Sequence, residues 1–271
     1  MRKENIAILS TVVNFDLYQK SSHLFPKDIS KYVIDGRNGM HAMDSVCYMF
    51  KKLKGKKIDW LIMADEDVLF IDSTFVFGLI DQMKKENYTV CGVRDGGVIP
   101  HRVQNPYAIN TFFSIVNFKE ISALWNKKEV LKNQYILKDE FNDDLSTLIG
   151  DYSKESMFEP YYCFYFWMRR QGKKFLFLNA TVPFEEDSIT NLVLDFNGNP
   201  MLYHTWYARS YGNSEKHTKR IDCVFDKVEG VGAAYAEPMV FKDDSYAIKK
   251  TIRKHYLRII AKLNSIIKSL L

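Results

Sequence analysis

The stretch Ile58-Asp59-Trp60-Leu61-Ile62-Met63-Ala64-Asp65-Glu66-Asp67 joins an apolar run to three consecutive carboxylates. The run is continuous rather than alternating, as in a strand buried on both faces. Carboxylates two positions apart, just past a strand end, can face one ion once the chain leaves extended geometry. Hard oxygen ligands of this kind suit Mg²⁺ or Mn²⁺, which keep positions open for diphosphate oxygens. An Asp-x-Asp alone is a weak motif, but this one is unique in the 271 residues and follows its strand directly. The spacing therefore predicts a divalent metal on Asp65 and Asp67, with a solvated acidic turn as the alternative.

Outward from this strand the chain alternates. Residues 5–13 form another continuous apolar run, and Lys31–Asp35 is a short strand closed by the turn Gly36-Arg37-Asn38-Gly39. Met40–Leu53 has helical spacing, Ser73–Lys85 is a second helix and Tyr88–Val93 a fourth strand. This rhythm predicts an α/β fold with mostly parallel strands and right-handed crossovers, whose ligands lie beyond the carboxyl ends of the strands. Beyond Gly96-Gly97 the pattern is irregular. Asn110–Phe118 is expected as a strand, Phe118–Leu137 as one helix, Tyr161–Arg170 as a very aromatic helix and Lys174–Leu178 as a strand. Glu185–Pro200 is expected as a mobile loop. With no repeat or linker, residues 1–240 form one domain, followed by a separate helix over 241–271.

A first strand near the N-terminus, a second ending in Asp and a third ending in Asp-x-Asp resemble the GT-A glycosyltransferases, and Asp59 to Val68 is similar to that family's metal motif. The resemblance implies a nucleoside diphosphate sugar as donor, with uridine diphosphate as the nucleotide. It implies Mn²⁺ or Mg²⁺ as cofactor and a glycan or glycolipid hydroxyl as acceptor. Carried over residue by residue, Thr11, Val13 and Asn14 line the base pocket and Asp35 contacts the nucleoside, while Asp65 also reaches the donor. A turn-initiating role before Gly36 is an equal reading of Asp35, and a satisfied strand hydroxyl an equal reading of Thr11.

The segment Glu159 to Gly172 resembles the family's acceptor side, where an acidic pair opens a helix. Here Pro160 replaces the second acid, a comfortable residue in a first helical turn. Glu159 is then the general base for the acceptor hydroxyl, or else a helix cap favoured by the dipole; Asp143 and Asp144 are rivals. His204 matches a late His that the family places on the metal or diphosphate, with a structural His among its aromatic neighbours as the alternative. Arg209, with His217, Lys219 and Arg220, is available to neutralise the diphosphate, although such clusters are commonly solvated faces. Tyr161, Tyr162, Trp167 and Trp206 offer rings for sugar stacking or for the core. A sugar nucleotidyltransferase is disfavoured, because Asn14-Phe15-Asp16 follows the first strand where a glycine-rich phosphate loop would be needed. A carbohydrate-binding protein that keeps the fold without turnover stays open through Glu159-Pro160.

The charge is unevenly spread. Of 38 Lys and Arg residues, seven lie between Tyr246 and Leu271 with no acid among them, leaving 31 against 33 acidic residues elsewhere. A nucleic-acid-binding face is not expected of such a body. On a helical wheel Ile248, Ile252, Ile259, Ile260, Leu263, Ile266, Ile267 and Leu270 fall within about a third of the circumference. A cationic amphipathic helix of this kind suits an anionic membrane surface, with the body or a second copy in a homodimer as alternatives. The four scattered cysteines fit no zinc or disulfide framework. No signal-peptide pattern opens the sequence, so the expected location is cytoplasmic, peripheral on the inner face of a membrane.

Overall fold

The computed structural model describes residues 5–228 and 237–270, with side chains in the last helix followed to residue 263 apart from 261. In chain order the elements are β1 (Ile6–Val12), α1 (Phe15–Ser21), β2 (Ser30–Asp35), α2 (Ala42–Leu53), β3 (Trp60–Ala64), β4 (Val68–Phe70), α3 (Phe75–Lys85), β5 (Val90–Arg94) and β6 (Ile109–Asn117). There follow α4 (Phe118–Leu124), α5 (Lys127–Leu131), α6 (Tyr162–Arg170), β7 (Phe175–Leu178), β8 (Ala180–Thr181), β9 (Asn191–Leu194), β10 (Pro200–His204), α7 (Glu215–Phe225), β11 (Met239–Phe241) and α8 (Tyr246–Leu270).

Seven strands form the central sheet in the order β11-β2-β1-β3-β6-β5-β7. Every pairing in it is parallel except those of β6, which runs antiparallel to both β3 and β5. The fold is thus α/β with a mostly parallel sheet, as expected. Along β1 and β3, Ala7, Leu9, Leu61 and Met63 enter one core cluster, while Ile6, Ile8, Trp60 and Ile62 enter the other on the opposite face. Both faces are covered, so the pleat leaves no polar side and the apolar runs are continuous. The α6 side chains from Tyr162 to Met168 are all buried, which assigns Tyr162 and Trp167 to the core.

Two expectations fail. The helix read over Phe118–Leu137 is broken at Trp125, which leaves helical geometry at ψ 117° and stacks on Phe50 with ring centroids 3.8 Å apart. Asn126 then caps α5 by accepting from the Lys128 and Glu129 amides. The loop read over Glu185–Pro200 contains β9, paired with β8 and β10 in a second, four-stranded antiparallel sheet of order β4-β10-β9-β8. Its loop-like polar residues are turn formers: Asp187 accepts from the amides of Ile189 and Thr190, and Asp195 from those of Asn197 and Asn199.

At the other edge, β11 adds to β2 in parallel register and spans the boundary placed after residue 240. The helix α8 docks through its first turns: the Tyr246 hydroxyl donates to Asp44 on α2 at 2.6 Å, and Arg253 grips the same carboxylate with both terminal nitrogens. Ile266, Ile267 and Leu270 of the apolar wheel lie outside the described side chains.

Candidate active site

Beyond the carboxyl ends of β1 and β3 lies a cavity of about 590 Å³. Thr11, Val13, Asp65, Glu66 and Asp67 form its inner wall, and Asn110, Thr111 and Phe112 the side beyond β3. The antiparallel course of β6 explains the latter. Its first residues, not its last, meet the end of β3, with Ala64 opposite Phe113 and the Asp65 amide donating to the Phe112 carbonyl at 2.9 Å.

The acidic triplet divides its labour. The Glu66 carboxylate turns inward, accepting from the amides of Val13 at 2.9 Å and Asn14 at 3.1 Å. It thereby ties the end of β1 to the turn after β3. Burial, with the adjacent Asp67 charge, pushes the Glu66 carboxyl up to about 7. Burial and the charges of Asp67 and Glu66 also raise Asp65 well above the usual carboxylate range, with Arg209 opposing them. Such crowding disfavours the simultaneous ionisation of all three acids.

His204 reaches Asp67 through the second sheet. In the antiparallel pairing of β4 and β10, His204 stands opposite Val68. The Thr205 amide donates to the Asp67 carbonyl at 3.0 Å, closing the pair. This sets His204 Nε2 3.4 Å from Asp67 Oδ1. The ring is stacked on Phe112 at 4.0 Å, and its Nδ1 is buried with no hydrogen-bond partner among the described residues. Beyond it, Trp206 and Tyr207 take positive φ of 58° and 60°, a region uncommon for bulky residues. Arg220 holds this bend from behind, donating to the carbonyls of Thr205 and Trp206 while paired with buried Asp187. Trp206, Tyr207 and Arg209 consequently line the cavity.

Across the cavity stand Glu159, Tyr161 and Arg102. Arg102 Nη2 donates to Glu159 Oε1 at 3.0 Å and makes a two-pronged pair with Asp95, whose side chain is fully buried. Asp95 also accepts from Asn110 Nδ2 at 2.6 Å and from the hydroxyls of Tyr161 and Tyr162. Burial lowers the Arg102 guanidinium pKa, but Asp95 outweighs it and keeps the charge fixed. Glu159 Oε2 has no hydrogen-bond partner among the described residues.

Of the residues expected at the site, Thr11, Val13, Asp65, Asp67, Glu159, His204 and Arg209 share this cavity, as do Tyr161 and Trp206. Asp35 and Asn14 are not among its lining residues. Asp35 is bound by Arg37, which lowers its pKa and lies 4.4 Å over the Phe15 ring. Asn14 caps α1 and donates to the carbonyls of Ala208 and Tyr211, so it shapes the wall from behind. His217 stacks on Tyr207, Lys219 pairs with Glu215 on the surface, and Arg220 is the brace already described. The rival bases are elsewhere: Asp143 is locked between Arg94 and Arg169, and exposed Asp144 closes a turn onto Ser146.

Arg102, Asp95, Asn110, His41 and Ser45 were not anticipated. Gly96-Gly97 was the available signal for the first two: a Cβ on Gly96 would sit 2.0 Å from the Gln104 carbonyl oxygen, and Gly97 has φ +84°. The chain there is pinched against residues 148–153, which leads Arg102 back to the cavity.

The donors suit a hard divalent cation. Among the described residues no group of three or more His, Cys, Asp or Glu encloses an ion. One carboxylate and one imidazole within 3.4 Å nevertheless match a site that takes its remaining ligands from water and substrate phosphates.

No family model matches the chain, and no curated protein matches it. Solved structures similar to it include mouse xyloside xylosyltransferase 1 in its apo form, at 9% identity over 65% of this chain and 84% of that one, with a TM-score of 0.38. Protein A197 from STIV is 15% identical over 73% of this chain and 93% of its own, with a TM-score of 0.36. The mannosyltransferase PcManGT from Pyrobaculum calidifontis, in complex with GDP-Man and Mn²⁺, is 8% identical over 44% of this chain and 46% of its own, with a TM-score of 0.28. At such scores the likenesses carry no argument about chemistry, which rests on the cavity itself.

Proposed function

We propose that this chain is a metal-dependent glycosyltransferase of the GT-A kind, moving a sugar from a nucleoside diphosphate donor to a hydroxyl of a glycan or glycolipid. The observation that carries the reading is one cavity with the Asp67–His204 pair and Arg209 on one wall and Glu159, held by Arg102, on another.

In this reading Asp67 and His204, with Asp65 beside them, hold Mn²⁺ or Mg²⁺. When bound, the ion supplies Lewis-acid stabilisation to the departing diphosphate. Arg209 adds a second positive charge to the same oxygens. Thr11 and Val13, with Ser45 and His41 facing them, receive the nucleoside, uridine in our proposal. Glu159 accepts the proton of the acceptor hydroxyl on its unpaired oxygen as that hydroxyl attacks. Arg102, fixed by buried Asp95, orients the carboxylate and excludes other rotamers. Trp206 offers a ring face to the sugars, while Tyr161 is buried in the core and anchors to Asp95.

A thermal-shift panel of nucleoside diphosphates and their sugars, with and without Mn²⁺, tests this, since a ligand that binds only the folded chain raises its melting temperature by mass action. The expected result is stabilisation by one nucleotide, dependent on Mn²⁺ and absent in Asp67→Asn. A flat panel would sink the reading. One observation favours a second reading, in which the fold binds carbohydrate without turnover: Glu159 is already paired with Arg102. Mn²⁺-dependent donor hydrolysis separates the two.

A further inference from the structure

The first turns of α8 fix the orientation of the rest of the helix. Tyr246, Lys250 and Arg253 face the body: Tyr246 and Arg253 through Asp44, Lys250 through the Gly39 carbonyl at 2.8 Å. At about 100° per residue these three positions share one face. Centred about 120° around the helix from it lie Ile248, Ile252, Tyr256, Ile259 and Leu263, which are 64%, 63%, 61%, 59% and 53% exposed. The remaining third carries Lys254, Arg258 and Lys262, all exposed and without ion-pair partners among the described residues. The apolar stripe is thus not the face that docks on the body.

From this division we infer that α8 is an interface for an anionic lipid bilayer, held in place by the Asp44 contacts. Five large apolar side chains bordering a row of three cations match a surface with negative headgroups above acyl chains. Charge selects this occupant over a second copy of the chain. No acid occurs from Tyr246 to Leu271, so pairing the stripe with the same helix of a second copy offers the cation row no opposite charge from that helix, whereas anionic headgroups neutralise it. No described helix is long and apolar enough to cross a membrane, and the helix lies along the surface instead. The inference is independent of the chemistry proposed for the cavity.

Vesicle co-sedimentation of the full chain tests it, using phosphatidylcholine alone and phosphatidylcholine mixed with phosphatidylglycerol. Binding is expected only to the mixed vesicles and should weaken as salt rises. Replacing Lys254, Arg258 and Lys262 together by Gln should reduce partitioning about a hundredfold, from roughly 1 kcal/mol per cation. Ile252→Asp with Ile259→Asp should abolish it; both positions are exposed, so circular dichroism should be unchanged. Wild-type protein that ignores anionic vesicles, or binds them equally after these changes, overturns the inference. So does a dimer in analytical ultracentrifugation that the two Asp substitutions dissociate without any vesicle binding by the wild type.

Discussion

The sharpest division of roles lies between neighbouring side chains. Glu66 and Asp67 are adjacent acids, yet one accepts from two backbone amides on its Oε1 while the other faces His204. Asp67→Asn should therefore abolish Mn²⁺-dependent nucleotide binding. The melting temperature of the ligand-free protein should hold or rise, because the Asp67 charge works against ionised Asp65 and Glu66. Differential scanning fluorimetry with and without Mn²⁺ reports both; intact Mn²⁺-dependent affinity would remove Asp67 from the site. Glu159→Gln should slow transfer by about 10²–10⁴-fold, the usual worth of a positioned base, with donor affinity nearly unchanged. Steady-state kinetics of donor and acceptor decide it. A lowered melting temperature with full activity would make Glu159 a structural partner of Arg102 only.

Among the elements, the short second sheet matters most for chemistry. Its strands β4 and β10 carry His204 to Asp67 and launch the bend at Trp206 and Tyr207. Two consecutive bulky residues in the left-handed region need support from outside their own backbone. Arg220 on α7 supplies it while only 11% exposed, and its partner Asp187 is 7% exposed. Arg220→Met leaves Asp187 buried without its cation, so a loss of about 3–5 kcal/mol is expected. Nucleotide affinity should fall with it, because Arg209 and His204 flank the released bend. Urea unfolding and a nucleotide titration on one preparation check the pair of effects; a stable variant with unaltered affinity would show the bend to be held by other means.

Across the whole molecule, the long segment between α5 and α6 is fastened to the sheet by ion pairs rather than by regular structure. Asp143 meets Arg94 on β5 at 2.8 Å and Arg169 on α6, while Arg170 grips Glu140. Arg94 in turn lies 3.4 Å over the Phe177 ring of β7. Burial alone would raise the Asp143 pKa, but the two guanidinium groups outweigh it and hold the carboxyl below its ordinary range. The sign of the pH dependence follows. With the folded-state pKa depressed, the contribution is complete above the unfolded value of about 3.9 and is lost as pH falls through the folded one. Asp143→Asn should cost about 3 kcal/mol at neutral pH by stranding buried Arg94 and partly buried Arg169. The gap to wild type should narrow in acid. Denaturation across a pH series measures it, and a constant gap would mean that Asp143 acts through shape rather than charge.

Much of the fold was legible because it depends on local pattern. Continuous apolar runs at Ile6–Val12 and Trp60–Ala64 mark strands with both faces covered, and the acids at the end of β3 mark the inner wall of a cavity. The break at Trp125 and the strand β9 were illegible, because a stacking partner and a register outweigh local propensity there. The site was legible on the strand ends and, beyond them, at Glu159 before α6 and at Arg209. Asp35, plausible by position, is neutralised by a neighbour two residues away. Arg102 and Asp95 carry no motif of their own. Thr205 and Asp67 are joined across 138 positions, through a pairing whose register no local signal specifies. The sequence by itself determined the α/β sheet, the acidic turn and an amphipathic last helix, since each follows from the period and chemistry of adjacent residues. Only the tertiary structure decided which carboxylate meets His204, what holds Glu159, and which face of α8 is left to solvent. Those depend on long-range packing, where burial and charge pairing between distant segments choose among arrangements that local chemistry leaves equal.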